Sequence, residues 1–545
     1  MAKVCDVIKS NIEKYNDKLL YVYYEGYNIL NKVSYREFGD RVRGFAGYLQ
    51  SVVSKGDRAL IILPSGIEYL IAYVACLFTN TISIPLYTIN DVTQLENVKR
   101  IIDDSDAEYI ITNNEQLKVL EKLMGELLEE FYICNVDEYG PMSFMEEELA
   151  DNDMAYLQYT SGSTSKAKGV IISYENMYTN LMVMRNHLKF CDKDTFCTWL
   201  PLYFDMGLLG SAMNTLFDGA TCYFTSAECF MKQPDSWLNS ISVYRGTVVI
   251  APNFAYEMCL KLSDEVLSKF DLSSIRVMVN GSELVRSGTL SSLAERFKSL
   301  NLNPMTFNPS YGLAENTLVV SSHIPGTGYK SVTLDENKLR ENILEFTEDG
   351  LDIVACGKIC DGVIGKIVSI TTGEVVGEDE IGELWVGGNS VANGYWNGVD
   401  NENFEKRFPN DSTRFFATGD LGFIHEDYLY IVGRKKDTII IRGKNFYSQD
   451  IEDLVLRNNK NEISVAVAFS VDMNDQEELV IMAELDDIEK KKKEEIKESI
   501  KNVVINNCKI VPNEVVLCET GVLPRTDSGK VQRQVCRKKF IQENL

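Results

Sequence analysis

Long apolar runs are missing from this 545-residue chain. No stretch reaches the roughly 18 apolar residues that a membrane-crossing helix needs, so stable membrane insertion is not expected. The nearest, YLIAYVACLF at Tyr69–Phe78, fits a short buried helix. The N-terminal MAKVCDVIKSNIEKYNDK has no apolar core of signal-peptide type, and a cytoplasmic location is the expectation. Histidine is scarce: His187, His323 and His425 lie far apart, which argues against a His-rich metal site. Thirteen cysteines are scattered without paired metal-type spacing, the closest two being Cys356 and Cys360. They read as reduced, mostly buried thiols. An excess of positive charge is also absent. The chain holds 55 basic and 80 acidic residues, a net −25; from Arg434 onward it has 20 of each, so the preceding part carries the whole imbalance. Such a surface argues against nucleic acid as a partner, although the terminal GKVQRQVCRKKF is locally basic. No internal repeat and no long low-complexity segment is visible.

What is there is an ordinary globular composition, 45% apolar and 25% charged, in a chain too long for one core. Ser34-x-x-Glu37 is a capping-box pattern ahead of Val42, Phe45, Leu49 and Val52 at helical spacing. Then RALIILP, TISIPLY and EYIIT read as strands. They alternate with the helix-like GIEYLIAYVACLFTN, QLENVKRIIDDSD and NEQLKVLEKLMGELLEE. The alternation resumes with YENMYTNLMVMRNHL as a helix and TCYFTS and GTVVIAP as strands. This predicts an α/β fold: a large N-terminal domain of mainly parallel sheets covered by helices, with ligand loops at the carboxyl ends of strands. Near Phe423 the texture changes to strand, charged turn, strand, turn and helix, then SVAVAFSV, ELVIMAEL, a Lys/Glu-rich helix from Ile488 to about Asn506, and EVVLCE. That predicts a small α+β C-terminal domain. The boundaries expected are 1–433 for the large domain, 434–436 for a hinge and 437–545 for the small one.

The segment YLQYTSGSTSKAKGV packs five hydroxyls and one glycine between Thr160 and Ser165, followed by Lys166, Lys168 and Gly169. Glycines let backbone approach an anion, hydroxyls and N–H groups donate to its oxygens, and lysine adds charge, so the run reads as a phosphate cradle. It does not match GxxxxGK[ST]. With its neighbours it resembles the signature loop of the adenylate-forming superfamily, which includes acyl-CoA synthetases, luciferases, amino-acid adenylation domains and fatty-acyl-AMP ligases. WLPLYFDMGLLG, NGSE, YGLAENT, TGDLG, GRKKDTIIIRGKN and LPRTDSGK resemble further motifs of that superfamily, in its order. The likeness is closest to stand-alone fatty-acyl-AMP ligases. NGSELVRSGTL and IIIRGKNFYSQDIE carry it, with a segment of extra length between Ser322 and GELWVGG that is similar to that subfamily's insertion.

The resemblance implies a chemistry: ATP and a fatty acid give acyl-AMP and pyrophosphate, with Mg²⁺ as cofactor, and the acyl group passes to the phosphopantetheine thiol of a separate acyl carrier protein. It implies that Thr160, Ser161, Gly162, Ser163, Thr164 and Lys168 hold the β- and γ-phosphates. Ser165 and Ala167 depart from its usual Gly and Pro, and serine tolerates positive φ poorly. Glu315 is the implied Mg²⁺ ligand. Gly281, Ser282, Glu283, Tyr311 and Gly312 would line the adenine site, and Asp420 and Arg434 the ribose. Lys530 is the implied catalytic residue, reaching from the small domain to the carboxylate and α-phosphate, with Lys436 as the pivot. Phe204, Asp205, Met206, Phe254, Met258 and Leu313, with Trp199, are candidates for the acyl pocket. Phe204 stands where these ligases usually carry His. The competing readings are an acyl-CoA synthetase, an amino-acid or aryl-acid adenylating enzyme in which Asp205 pairs with an ammonium, and a non-catalytic sensor of ATP or acyl-adenylate.

Overall fold

A computed structural model describes residues 2–140, 142–160, 168–398, 400–409, 411–441, 444–459, 462–473, 476–485, 490–525 and 531–544. The first sheet is six-stranded, in the order Tyr132–Asn135, Tyr109–Thr112, Arg58–Ile62, Ile82–Leu86, Met154–Thr160 and Lys168–Ser173. Its first five strands run parallel, and the last two pair antiparallel with Thr160 opposite Lys168. Helix Ile67–Thr79 follows Arg58–Ile62 and buries every side chain but Glu68, so the apolar run singled out in the sequence is a core helix. Helix Tyr35–Val52 starts on the predicted capping box at Ser34 and Glu37; Phe38, Val42, Phe45 and Leu49 are buried, whereas Val52 faces water. The helix expected over Asn114–Glu130 is α-helical only to Met124, because Gly125 turns to φ +55°, and a 3₁₀ turn follows.

The second sheet has thirteen strands, and its direction changes midway. Leu19–Glu25, Thr221–Phe224, Thr195–Thr198, Val248–Ala251, Val277–Asn280 and Phe307–Gly312 are parallel neighbours. From Phe307–Gly312 the order continues through Val319–Ser322, Lys358–Ile359, Tyr428–Arg434, Phe415–His425, Gly382–Gly387 and Ile364–Val368, all antiparallel. The strand Phe307–Gly312 thus has a parallel partner on one side and an antiparallel one on the other. One large apolar core joins the two sheets through Tyr73, Tyr156, Tyr174, Leu216 and their neighbours.

The C-terminal part has its own apolar clusters. Strands Ile463–Met473, Gln476–Leu485 and Glu514–Glu519 make a three-stranded sheet. Alternation along the first of these sends Ala466 and Ala468 to a cluster with Ile451, Val455, Ile496 and Ile500, and Val467 and Phe469 to a cluster with Cys536 and Phe540. Helices Ser448–Asn458 and Lys490–Cys508 cover one face and Arg533–Asn544 the other. The segment between Ser322 and GELWVGG contains a hairpin, Ser331–Leu334 with Leu351–Val354, that leans on this part. There Asn445 N–H donates to Arg340 O at 2.9 Å, the Arg340 guanidinium lies 5.2 Å from the centre of the Phe446 ring, and Lys444 meets Glu341 at 3.1 Å. Arg286 of the large core pairs with Asp453 of helix Ser448–Asn458. All thirteen cysteines are free thiols, and no helix among the described residues is long and apolar enough to cross a membrane.

Candidate active site

The parallel strands of the large sheet deliver their carboxyl ends to one place. Asn280 leads into Gly281, Ser282 and Glu283. A β-carbon on Gly281 would stand 2.8 Å from Ser310 O on the next strand, so only glycine permits this approach. The Glu283 carboxylate accepts from Phe254 N–H at 2.6 Å, tying this loop to the one after Val248–Ala251. On Phe307–Gly312, Gly312 lies so close to Leu318 that a β-carbon would sit 2.2 Å from its carbonyl oxygen.

Tyr311, Asp420 and Arg434 meet across three strands. The Tyr311 hydroxyl donates to Asp420 Oδ2 at 2.5 Å, and Arg434 Nε donates to Asp420 Oδ1 at 2.8 Å. Asp420 and Arg434 are register partners, and Asp420 is 5% exposed. Burial and the facing carboxylate raise the Tyr311 phenol well above its ordinary value, so it remains a donor. The same carboxylate, with Tyr311 and Glu315 behind it, holds Arg434 charged. A carboxylate offers about four lone-pair sites, so two remain for hydroxyl donors of a ligand.

Glu315 sits on the 3₁₀ turn Ala314–Asn316 directly after this strand. The turn is clamped: Ala392 N–H donates to Glu315 O at 2.9 Å, and Asn180 Nδ2 donates to Asn316 O at 3.0 Å. Glu315 Oε1 accepts from the Tyr395 hydroxyl at 2.5 Å. Lys168, at the start of Lys168–Ser173, pairs with Asp400 and lies 5.0 Å from the centre of the Tyr395 ring. Lys436, on the turn Lys435–Asp437, has its ammonium pKa lowered by burial first and then by the charges of Arg434 and Lys168. Ser161, Gly162, Ser163, Thr164, Ser165, Ala167 and Lys530 lie outside the described residues; Thr160 ends the strand at the mouth of the loop.

The apolar candidates divide. Met206, Phe254, Met258 and Leu313 are partly buried along the edge of the large core, with Phe254 and Met258 one turn apart on helix Asn253–Leu260. Trp199 is 3% exposed, stacked on Phe230 at 4.1 Å and edge-on to Phe254 at 5.9 Å, so it backs the Phe254 ring. The Phe204 ring packs on Tyr203 at 4.7 Å. Asp205 Oδ1 accepts from the N–H of Met206 at 2.7 Å. Tyr395 and Asp400 escaped the sequence reading. Their segment, VANGYWNGVD, matched no motif used there.

An α/β core whose strand ends bring together a tyrosine, carboxylates and cations is of the kind that binds ligands at strand ends, and the chain belongs to the AMP-binding enzyme family, whose profile matches residues 8–396. The profile of the AMP domain of Disco-interacting protein 2-like proteins matches residues 436–545. Among relatives, the medium-chain-fatty-acid–[acyl-carrier-protein] ligase JamA of Moorena producens is 33% identical, covering 95% of this chain and 91% of its own. The long-chain-fatty-acid–AMP ligase FadD26 of Mycobacterium marinum is 30% identical, covering 89% and 87%. A solved structure from work on the fatty acyl-adenylate ligases of E. coli and L. pneumophila superposes with a TM-score of 0.91 at 27% identity, covering 99% of this chain and 98% of its own.

Proposed function

We propose that this chain joins a fatty acid to ATP as acyl-AMP, releasing pyrophosphate, and then passes the acyl group to the phosphopantetheine thiol of a separate acyl carrier protein. The observation that carries the proposal is the meeting of Tyr311, Asp420 and Arg434 beside Glu315 and Lys168 at one end of the sheet. In the first step a carboxylate oxygen bonds to the α-phosphorus, the bond from that phosphorus to the bridging oxygen breaks, and pyrophosphate leaves with the electron pair. In the second, the carrier's thiolate bonds to the acyl carbon and AMP leaves with its oxygen.

The difficulty of the first step is electrostatic, because two anions must meet. Arg434 and Lys168 supply fixed positive charge, with Lys530 brought in from the small domain. Asp420 would orient the ribose, and Gly281 and Gly312 let the backbone close on the base. Glu315 would hold Mg²⁺. No cluster of three or more His, Cys, Asp or Glu suited to a metal exists among the described residues. One hard carboxylate, with phosphates and water completing the shell, is the donor set Mg²⁺ commonly takes. Bound there, the ion would neutralise charge on the phosphates. Lys436 would be the pivot between domains 1–433 and 437–545; its place on a short turn between the large sheet and the small domain supports that role.

The contact of the Ser331–Val354 segment with Phe446 and Lys444 supports a carrier rather than free CoA as acceptor, since it ties down the domain that must turn. The basic residues Arg537, Lys538 and Lys539 of helix Arg533–Asn544 support docking of an acidic carrier there. Mass spectrometry after incubation with ATP, Mg²⁺, a mixed fatty-acid panel, and CoA and holo-carrier in parallel tests the whole. Acyl-AMP and acyl-carrier are expected. Acyl-CoA as the main thioester would make it an acyl-CoA synthetase, and no acyl-AMP from any acid would end the proposal. A cytoplasmic location belongs to the same reading.

A further inference from the structure

Tyr395 stands between the group assigned to the metal and the group assigned to the phosphates. Its hydroxyl donates to Glu315 Oε1, and its ring underlies the Lys168 ammonium. The side chain is 6% exposed. Its backbone is fastened to the strand that carries Lys168, through a bridge to Val170 and a hydrogen bond from Ile171 N–H to Gly394 O at 2.9 Å. Tyr395 N–H donates to Asn401 Oδ1 at 2.6 Å, and the ring meets Phe404 edge-on at 5.1 Å. A residue held this firmly transmits its own position to whatever it touches. A hydrogen bond to one carboxylate oxygen sets the direction in which the other points, as outer partners of metal ligands commonly do. A ring face below an ammonium restricts where that charge can go.

Asp400 adds a second element. Its carboxylate is paired with Lys168, yet its side chain is half open to solvent, so it can give up the ammonium without becoming a buried unpaired charge. A triphosphate arriving at Lys168 competes with that carboxylate and is repelled by it.

We infer that Tyr395 is a positioning residue that fixes Glu315 and Lys168 relative to each other, and that Asp400 is an internal counter-ion which the nucleotide's phosphates displace. This rests on the assignment of Glu315 and Lys168 made under the proposed function. Calorimetric titration of ATP into the full chain, in EDTA and in excess Mg²⁺, tests it. Tyr395→Phe keeps the ring and removes only the hydroxyl. Its metal-free affinity should stay at the level of the unaltered chain, while the gain conferred by Mg²⁺ falls about tenfold, the scale of one hydrogen bond to a charged group. Tyr395→Leu also removes the ring and should weaken metal-free binding about threefold. Asp400→Asn should tighten metal-free binding about threefold, as for a partly exposed ion pair. An undiminished Mg²⁺ gain in Tyr395→Phe, with melting as in the unaltered chain, overturns the positioning role. Should that variant unfold, Asp400→Asn decides, and unchanged or weaker binding there overturns the inference. Failure of the unaltered chain to bind ATP would instead remove the assignment beneath it.

Discussion

Removing the Tyr311 hydroxyl separates its role in orienting Asp420 from its ring's role as a wall. Tyr311→Phe leaves one oxygen of a nearly buried carboxylate without its protein donor. The KM for ATP should rise about tenfold and stability should fall by about 1–3 kcal/mol, the usual scale for removing a hydrogen bond to a buried charged group; initial rates of pyrophosphate release against ATP concentration and denaturant unfolding check it. Gly312→Ala has a different cause. Its β-carbon would meet the carbonyl oxygen of Leu318, just ahead of the neighbouring strand, at 2.2 Å, and backbone cannot step aside cheaply. A loss of about 1–3 kcal/mol in stability is expected from denaturant unfolding, the cost typical of overpacking. The glycine and carboxylate behind both predictions were legible in the sequence because each stands in a stretch, YGLAENT or TGDLG, that resembles a motif of the superfamily. Tyr395 was not: its contact with Glu315 spans 80 residues, and that of Asp400 with Lys168 spans 232. Neither pairing leaves a local pattern.

At the scale of elements, the joint between the Ser331–Val354 segment and helix Ser448–Asn458 contains a titrating group. Asp450 lines a small cavity with Glu336, Arg340, Phe446, Tyr447 and Cys508. Burial first, and Glu336 second, raise its pKa to about 7, against the lowering effect of Arg340 and Arg457; Glu452 adds to the rise. The folded state therefore binds a proton more tightly than the unfolded chain does. The stability this proton confers is fully present only below the ordinary carboxylate value of 3.8 and is lost progressively as pH rises from there through about 7. In thermal melting, the stability of the unaltered chain should fall between about pH 4 and 7 by at most about 1.4 kcal/mol per pH unit and level off above that. In Asp450→Asn that slope should be shallower; an equal slope in both would place the titration elsewhere. Element types themselves were readable. Strand–helix alternation announced the parallel strands, and the Ser34 capping box announced its helix. The antiparallel run from Val319 to Arg434 was not, because strands joined by turns carry no mark of which neighbour they choose.

For the whole molecule, the decisive prediction concerns Lys530. Lys530→Ala should lower the rate of fatty-acid-dependent pyrophosphate release by about 10²–10³, the loss typical of one donor aimed at developing charge. Transfer from chemically supplied acyl-AMP to holo-carrier should persist; equal loss in both steps would deny the lysine a role specific to adenylation. Reversing the charges of Arg537, Lys538 and Lys539 should raise the apparent KM for carrier, most strongly at low salt where such steering is least screened; an unchanged KM would move the docking surface elsewhere. The chain by itself determined the family and the α/β class and marked the residues proposed to meet the nucleotide, because local chemistry (glycine where backbone must close, lysine and carboxylate where charge must be met) is written in contiguous motifs. Only the tertiary structure decided which groups hold those residues in place. It bridged Val170 to Tyr395, set Asp400 against Lys168 and laid Arg340 on Phe446. Contacts between distant segments follow from how sheets pair and cores close, and that depends on the packing of the entire chain rather than on any window of it.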